Sequence, residues 1–465
     1  MRPLQRLRTV FPPQDPSGTT MPLGIQRLPV KASPSNGLAG TIRVPGDKSI
    51  SHRALILGLL SVGETPITGL LEGADVMATA RVCRQLGAII HPDAAGEWRV
   101  HGRGIGALRE PDDVLDFENS GTGARLMMGM LATHPINAHL TGDASLRHRP
   151  MERVIRPLSD MGASIQSREG RLPIFLAGAR KPVPISYKLP VASSQLKSAI
   201  LFAALNTPGE TEIIEPQLTR DHTERMLAAF GAEIHVEHDR GARIIRITGQ
   251  PELVPTPIVV PGDPSSASFM LVAALLVPGS HVTVQNVLLN PARTGLLTTL
   301  QEMGANLSIA NEREIGGETV GDITALSSVL TCVEVPPERA PSMIDEYPIL
   351  AVASSFAQGR SRMNGLAELR VKESDRLSAI AAGLAANGIV ARVGEDWLEV
   401  EGRGPDGVFG GGAVMTHMDH RIAMAFLVMG LAAKTPVVAD DSSMISTSFP
   451  NFVDLINGLG GVIGA

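Results

Sequence analysis

The 465-residue sequence has only two cysteines, Cys83 and Cys332, and aromatic residues make up just 3% of it. Two thiols give no disulfide framework and suit a reducing compartment, so a cytoplasmic location is expected. So few aromatic side chains leave no stacking platform for nucleic-acid bases. The longest apolar runs, such as Ile422 to Ala433, fall short of a membrane span. There is no HExxH, paired CxxC or EF-hand loop, so no metal is expected. Neither Gly102-Arg103-Gly104-Ile105-Gly106 nor Gly410-Gly411-Gly412 has dinucleotide-binding spacing, and no GxSxG elbow occurs. An excess of positive charge is also lacking. The formal net charge is −6, which argues against bulk binding to nucleic acid or anionic membrane. Cations gathered around a ligand must therefore be local.

Hydrophobic residues make up 43% and charged residues 19%, enough for a large core shared among two or three domains. Residues 1–34 are Pro-rich, carry Arg2, Arg6 and Arg8, and have no secretory apolar segment. They are expected to form a disordered tail, with translation from Met21 as a variant and a transit peptide as the lesser alternative.

Beyond that tail one plan repeats six times. An amphipathic helix ends at a glycine, in Leu86-Gly87-Ala88, Met161-Gly162-Ala163, Phe230-Gly231-Ala232, Met303-Gly304-Ala305, Asn387-Gly388-Ile389 and Leu459-Gly460-Gly461. Glycine just past a helix end supplies the left-handed residue that closes it. Between these stops lies a second helix, apolar on nearly every side and so expected to be buried. Each unit reads βαββαβ. The phrase Val44-Pro45-Gly46-Asp47 recurs as Val260-Pro261-Gly262-Asp263. The repeat suggests two similar lobes with the chain crossing at each copy: 35–46 plus 262–465, and 47–261.

The apolar helices all have polar starts: Ser49-Ile50-Ser51, Ser120-Gly121-Thr122, Ser193-Ser194-Gln195, Ser265-Ser266-Ala267, Asp345-Glu346-Tyr347 and Asp419-His420-Arg421. Singly, Ser and Asp are ordinary N-caps. Six together, with Lys48, Arg53, Arg125 and Arg421, favour anion binding at helix N-termini in one cleft. Three further loops gather charge. Gly142 to Met151 carries Arg147, His148 and Arg149; Thr219 to Thr223 carries Arg220 and His222, the latter read as a capping residue; Leu369 to Leu377 carries Lys372, Glu373 and Arg376. Lys372 and Arg376, four apart, are expected on one helix face.

PGDKSISHRA, NSGTGARL, GDASLRHRPM, ASSQLKSA, TRDHTE, PSMIDEYPILAVA, RVKESDRL and DHRIAM, in this order from about residue 35 onward, together resemble the 5-enolpyruvylshikimate-3-phosphate (EPSP) synthase family, in its class II bacterial branch. The resemblance implies an α/β fold of two lobes, each of three units with buried parallel helices, an inside-out α/β barrel. It implies transfer of the enolpyruvyl group of phosphoenolpyruvate to the 5-hydroxyl of shikimate 3-phosphate, releasing phosphate through a tetrahedral intermediate. It implies no cofactor or metal, small-molecule substrates only, and a monomer.

Carried onto this chain, the resemblance makes Lys48 a catalytic residue and a contact to both substrates. It gives shikimate 3-phosphate to Ser49, Arg53, Ser193, Ser194, Gln195, Arg220, Asp345 and Lys372. It gives phosphoenolpyruvate to Gly121, Arg149, Gln195, Arg376 and Arg421. Asp345 would take the proton of the 5-hydroxyl, and Glu373 would protonate the methylene carbon. Lys372 beside Glu373 would lower its pKa and desolvation would raise it. Ile445-Ser446-Thr447-Ser448-Phe449-Pro450 lacks the lysine that many class I members place before Thr-Phe-Pro, a loss shared by class II. Some glyphosate-tolerant relatives carry alanine at Gly121, so greater inhibition is expected here. The rival readings are UDP-N-acetylglucosamine enolpyruvyl transferase, whose usual mobile-loop cysteine has no counterpart in Cys83 or Cys332, and a non-catalytic anion-binding scaffold.

Overall fold

Among the residues described by the computed structural model, 28–239 and 241–464, six apolar helices run through the interior. They are Lys48–Leu60, Gly121–Ala132, Ser194–Ala204, Pro264–Leu276, Tyr347–Phe356 and His420–Ala432. Apolar or small side chains surround most of each helix, so none can face water without exposing a large hydrophobic surface. Six four-stranded sheets cover them, all with one pairing pattern. In one, Leu115–Asp116 runs parallel to Asn137–Thr141, which is antiparallel to Arg171–Ala177, itself antiparallel to Ser164–Arg168. A parallel pair needs a long crossover, and the buried helix supplies it.

Two hydrophobic cores result. One draws almost all its residues from 50–260, the other from 32–44 and 267–463. The inside-out α/β architecture is as expected, but the order within a unit is not βαββαβ. One strand separates the buried helix from the outer helix, and the unit reads βαβαββ. The misplaced strand is the parallel edge strand, only two residues long in Leu115–Asp116, Ile258–Val259, Glu334–Val335 and Ala413–Val414. Two residues cannot show an alternating pattern.

All six glycine stops sit at positive φ, between 78° and 108°. Among the described residues no helix is long and apolar enough to cross a membrane. Of the tail expected over 1–34, residues 1–27 lie outside the described residues, and the described part is not a tail. Val30–Ser33 is an inner strand, antiparallel to both Val437–Ala439 and Val462–Gly464. It is fixed there because Ala32 is fully buried in the second core.

The repeated Val-Pro-Gly-Asp phrases lie side by side. The Asp47 amide donates to the Pro261 carbonyl (2.7 Å) and the Asp263 amide to the Pro45 carbonyl (2.9 Å). Gly46 is required by close approach: a Cβ there would lie 2.0 Å from the Gly69 carbonyl oxygen. Asp47 caps Lys48–Leu60 and Asp263 caps Pro264–Leu276. Buried Arg293 donates to both aspartates, at 2.7 and 3.1 Å. Burial alone would raise the Asp47 carboxyl; Arg293 and neighbouring positive charge bring it down to about 2.

Candidate active site

The crossing segments set the two lobes face to face and bring the starts of all six buried helices to one cavity of about 760 Å³. Each helix presents unpaired backbone N–H groups and a partial positive charge there. Ser120, Ser193 and Asp419 cap three of these helices through their side chains, as Asp47 and Asp263 do two others. Lysines and arginines outnumber carboxylates along the wall, although the whole chain is acidic.

One side of the cavity holds Lys48, Ser49, Arg53, Ser193, Ser194 and Gln195. The Arg53 guanidinium is almost fully buried and donates to Thr223 Oγ1 (2.6 Å), Ser198 Oγ (2.7 Å) and the Ser49 carbonyl (2.8 Å). Burial lowers its pKa to about 10, still a permanent cation at neutral pH. The Lys48 ammonium pairs with Asp75, a residue the sequence did not single out. An acid in the first turn of Ala74–Gln85 reads simply as a complement to the helix dipole.

Gly121, Arg125 and Arg149 form the next stretch. Arg149 donates to the Asn119 carbonyl (3.1 Å) and to Asn119 Oδ1 (2.6 Å), and its Nη1 lies 3.8 Å from Glu373 Oε1. Arg125 donates to Gln195 Oε1 at 2.8 Å, and Gln195 donates to Thr122 Oγ1 at 2.9 Å.

Across the cleft lie the two carboxylates. Asp345 is met by Arg220 (2.6 Å), Lys372 (3.3 Å) and Arg376 (3.2 Å), while Arg421 donates to its carbonyl at 3.2 Å. Burial pushes its carboxyl up, but Lys372, Arg220, Arg421 and Arg376 outweigh burial and hold it well below the usual range. Glu373 is likewise raised by burial and brought well below 4.5 by Arg376 and Arg149. The cations win over desolvation, and they are not the expected one: Lys372 turns to Asp345. Lys372 and Arg376 do not share a helix face, because Lys372 follows the short turn Ala367–Val371 and Arg376 opens Arg376–Ala386. They converge on Asp345 from a bend.

Every residue assigned to substrate or proton transfer from the sequence lines the cavity except Arg376. Its guanidinium has no exposure and is held by Asp419 (2.8 Å), Glu373 (2.5 Å) and Asp345. It lies behind the wall, joining the two carboxylates. His222 is not a capping residue either; its Nδ1 lies 2.7 Å from Glu318 Oε1 of the other lobe. Besides Asp75, the sequence reading missed Arg293, which lines the cavity beside the crossing segments.

Comparison with known proteins bears directly on this arrangement. The family model for EPSP synthase (3-phosphoshikimate 1-carboxyvinyltransferase) matches residues 32–456. The chain belongs to the EPSP synthase family. Among its relatives, the 3-phosphoshikimate 1-carboxyvinyltransferase of Parvibaculum lavamentivorans is 61% identical over 92% of this chain and 95% of its own. That of Methylobacterium radiotolerans is 58% identical over 94% and 98%. The EPSP synthase of Acinetobacter baumannii superposes with a TM-score of 0.82 at 42% identity, covering 94% of this chain and all of that one. An enolpyruvyl transferase from Streptomyces tendae shares the fold, with a TM-score of 0.75 at 18% identity over 94% of this chain and 99% of its own. The cavity just described is thus the cleft between the two lobes of an EPSP synthase fold.

Proposed function

We infer that this EPSP synthase family member joins the enolpyruvyl group of phosphoenolpyruvate to the 5-hydroxyl of shikimate 3-phosphate and releases phosphate. The observation that carries the reading is the pair of carboxylates, Asp345 and Glu373, set in a cation-rich cavity at six converging helix starts. Two multiply charged anions need such a cavity, and proton transfers at two places, the hydroxyl and the methylene carbon, suit two separate carboxylates.

Shikimate 3-phosphate is assigned to the wall of Ser49, Arg53, Ser193, Ser194, Gln195 and Arg220, with Lys372 and Asp345 facing its ring. Phosphoenolpyruvate is assigned to Gly121, Arg149, Gln195 and Arg421, and Lys48 is assigned a contact to both substrates. A guanidinium fork suits a carboxylate or phosphate because two parallel N–H groups match two oxygens. Arg376 is assigned a holding role, keeping Asp345 and Glu373 on one rigid guanidinium. Asp345 takes the hydroxyl proton as oxygen attacks the central carbon of phosphoenolpyruvate, and Glu373 supplies the proton that turns its methylene into a methyl. Glu373, left as a carboxylate, then takes a proton back from that methyl as the bond from carbon to the phosphate oxygen breaks, so that phosphate departs and the double bond returns. A monomer is proposed as the working unit, and the two unpaired cysteines suit the cytoplasm.

The test is phosphate release from phosphoenolpyruvate with shikimate 3-phosphate or UDP-N-acetylglucosamine as acceptor, in metal-free buffer. Release with the first acceptor alone is expected. Release with the sugar nucleotide alone would reassign the chemistry to the sister reaction, and binding of both ligands without release would leave only a scaffold. The sister reading is disfavoured by the thiols: neither lines the cavity, and burial pushes Cys83 up to about 12, where it is an inert thiol.

Two substitutions test the assignments. Arg149→Ala should weaken phosphoenolpyruvate binding about tenfold or more, the cost of a charged hydrogen bond, and leave shikimate 3-phosphate nearly unaffected. Equal losses in calorimetric titrations of the two substrates would contradict the assignment. At Gly121 an added Cβ would sit 2.9 Å from Nη1 of both Arg125 and Arg149. Gly121→Ala should therefore displace these guanidinium ends, raise the inhibition constant for glyphosate, and raise the KM for phosphoenolpyruvate by a smaller factor. Unchanged inhibition in steady-state assays would rule this out.

A further inference from the structure

Lys197 has no exposed surface, although it lies within the apolar Ser194–Ala204 helix and takes no part in the chemistry above. A buried ammonium is costly unless it is paired. Its Nζ lies 2.9 Å from Glu215 and 2.8 Å from Glu224, and Arg243 adds contacts to the same two carboxylates at 3.5 and 3.3 Å. The positions of the two glutamates are informative. Glu215 ends the strand before the 216–221 loop, and Glu224 stands in the first turn of the helix after it. One ammonium therefore holds both ends of the loop. Glu215 Oε1 also accepts the Thr219 amide (3.1 Å) and the Thr219 hydroxyl (2.5 Å), folding the loop back on the strand end. The next residue, Arg220, then reaches across the cleft to Asp345. The helix carrying Lys197 begins at Ser193, Ser194 and Gln195.

We propose that Lys197, with Glu215, Glu224 and Arg243, is a positioning cluster that fixes the Arg220 loop against the Ser193–Gln195 helix start and so sets the span of the phosphate site for shikimate 3-phosphate. The proposal rests on the substrate assignment above. The cluster lies behind the cavity wall; it acts through Thr219 and Arg220 and touches no substrate.

Lys197→Met would leave two buried carboxylates with Arg243 alone and compromise folding, so the test uses milder changes. Glu224→Gln keeps the shape, removes one charge from the cluster and lies outside the cavity lining. Thr219→Val removes the hydroxyl bond to Glu215, and Thr219→Ser retains it. In steady-state assays, Glu224→Gln and Thr219→Val should each raise the KM for shikimate 3-phosphate about fivefold or more, with that for phosphoenolpyruvate within about twofold. Thr219→Ser should restore the wild-type value. Parallel rises in both KM values, or no rise in either, would overturn the cluster's role while an active wild type upholds the function. A wild type that uses only UDP-N-acetylglucosamine would overturn the substrate assignment, and this proposal with it.

Discussion

Arg376→Met is expected to abolish turnover and to lower stability by about 3–5 kcal/mol, the scale for removing one partner of a buried ion pair. Among the described residues, no other side chain in or behind the cleft wall holds three carboxylates. Asp419, fully buried, is held at 2.8 Å and also caps the His420–Ala432 helix. Glu373 is held at 2.5 Å and Asp345 at 3.2 Å. Without the guanidinium, Asp419 keeps only neutral donors, the Ser374 hydroxyl and the Arg421 amide. Arg376→Lys should recover part of the stability and little of the activity, since one ammonium cannot match a fork directed at three groups. Adding Asp419→Asn to Arg376→Met should also regain stability without activity, because it removes the most deeply buried unpaired charge. Urea unfolding followed alongside phosphate release checks both limbs. Stability of Arg376→Met within about 1 kcal/mol of wild type, the scale of an exposed pair, would show that the carboxylates hold themselves by other means.

The same residue marks how far the sequence could be read. Glycine stops and polar helix starts are local signals, set by backbone conformation and by the N–H groups each helix leaves unpaired, so Gly87 through Gly460 and Ser120, Ser193 and Asp419 were legible one at a time. Partnerships across the fold were not. Arg376 and Glu373 stand three apart in sequence, but Asp345 and Asp419 arrive from other units, and only packing shows that the arginine lies behind the wall. Lys197 reads as one cation in an apolar helix until Glu215 and Glu224 fold onto it. Lys48 was legible as a ligand for anions, whereas its partner Asp75 had no distinguishing neighbours. The edge strands were lost for a different reason: Leu115–Asp116 is a strand only because Asn137–Thr141 lies beside it.

Glu373→Gln should separate binding from chemistry. A positioned proton donor contributes roughly 10²–10⁴ in rate, so kcat should fall by that order, with the KM for phosphoenolpyruvate unchanged or lower, since a negative charge near an anion site has been removed. Arg376 and Arg149 hold Glu373 ionised, which is the wrong form for an acid. Phosphoenolpyruvate bound at Arg149, as proposed, would bring its own negative charge to that cation and its neighbours, weakening their hold and raising the glutamate's pKa. Binding should therefore take up a proton in the wild type and less in Glu373→Gln, read as the difference in calorimetric enthalpy between two buffers of unlike ionisation heat. The linkage with folding has a definite sign. A carboxyl whose folded pKa lies below its ordinary 4.5 stabilises the protein above that value, and the stabilisation is lost as pH falls through the folded pKa. Glu373→Gln should accordingly be less stable than wild type at neutral pH, with the gap closing in acid. A variant that keeps kcat within about tenfold of wild type, below the range expected for losing a general acid, would remove Glu373 from the proton path and leave it as a brace for Arg149 and Arg376.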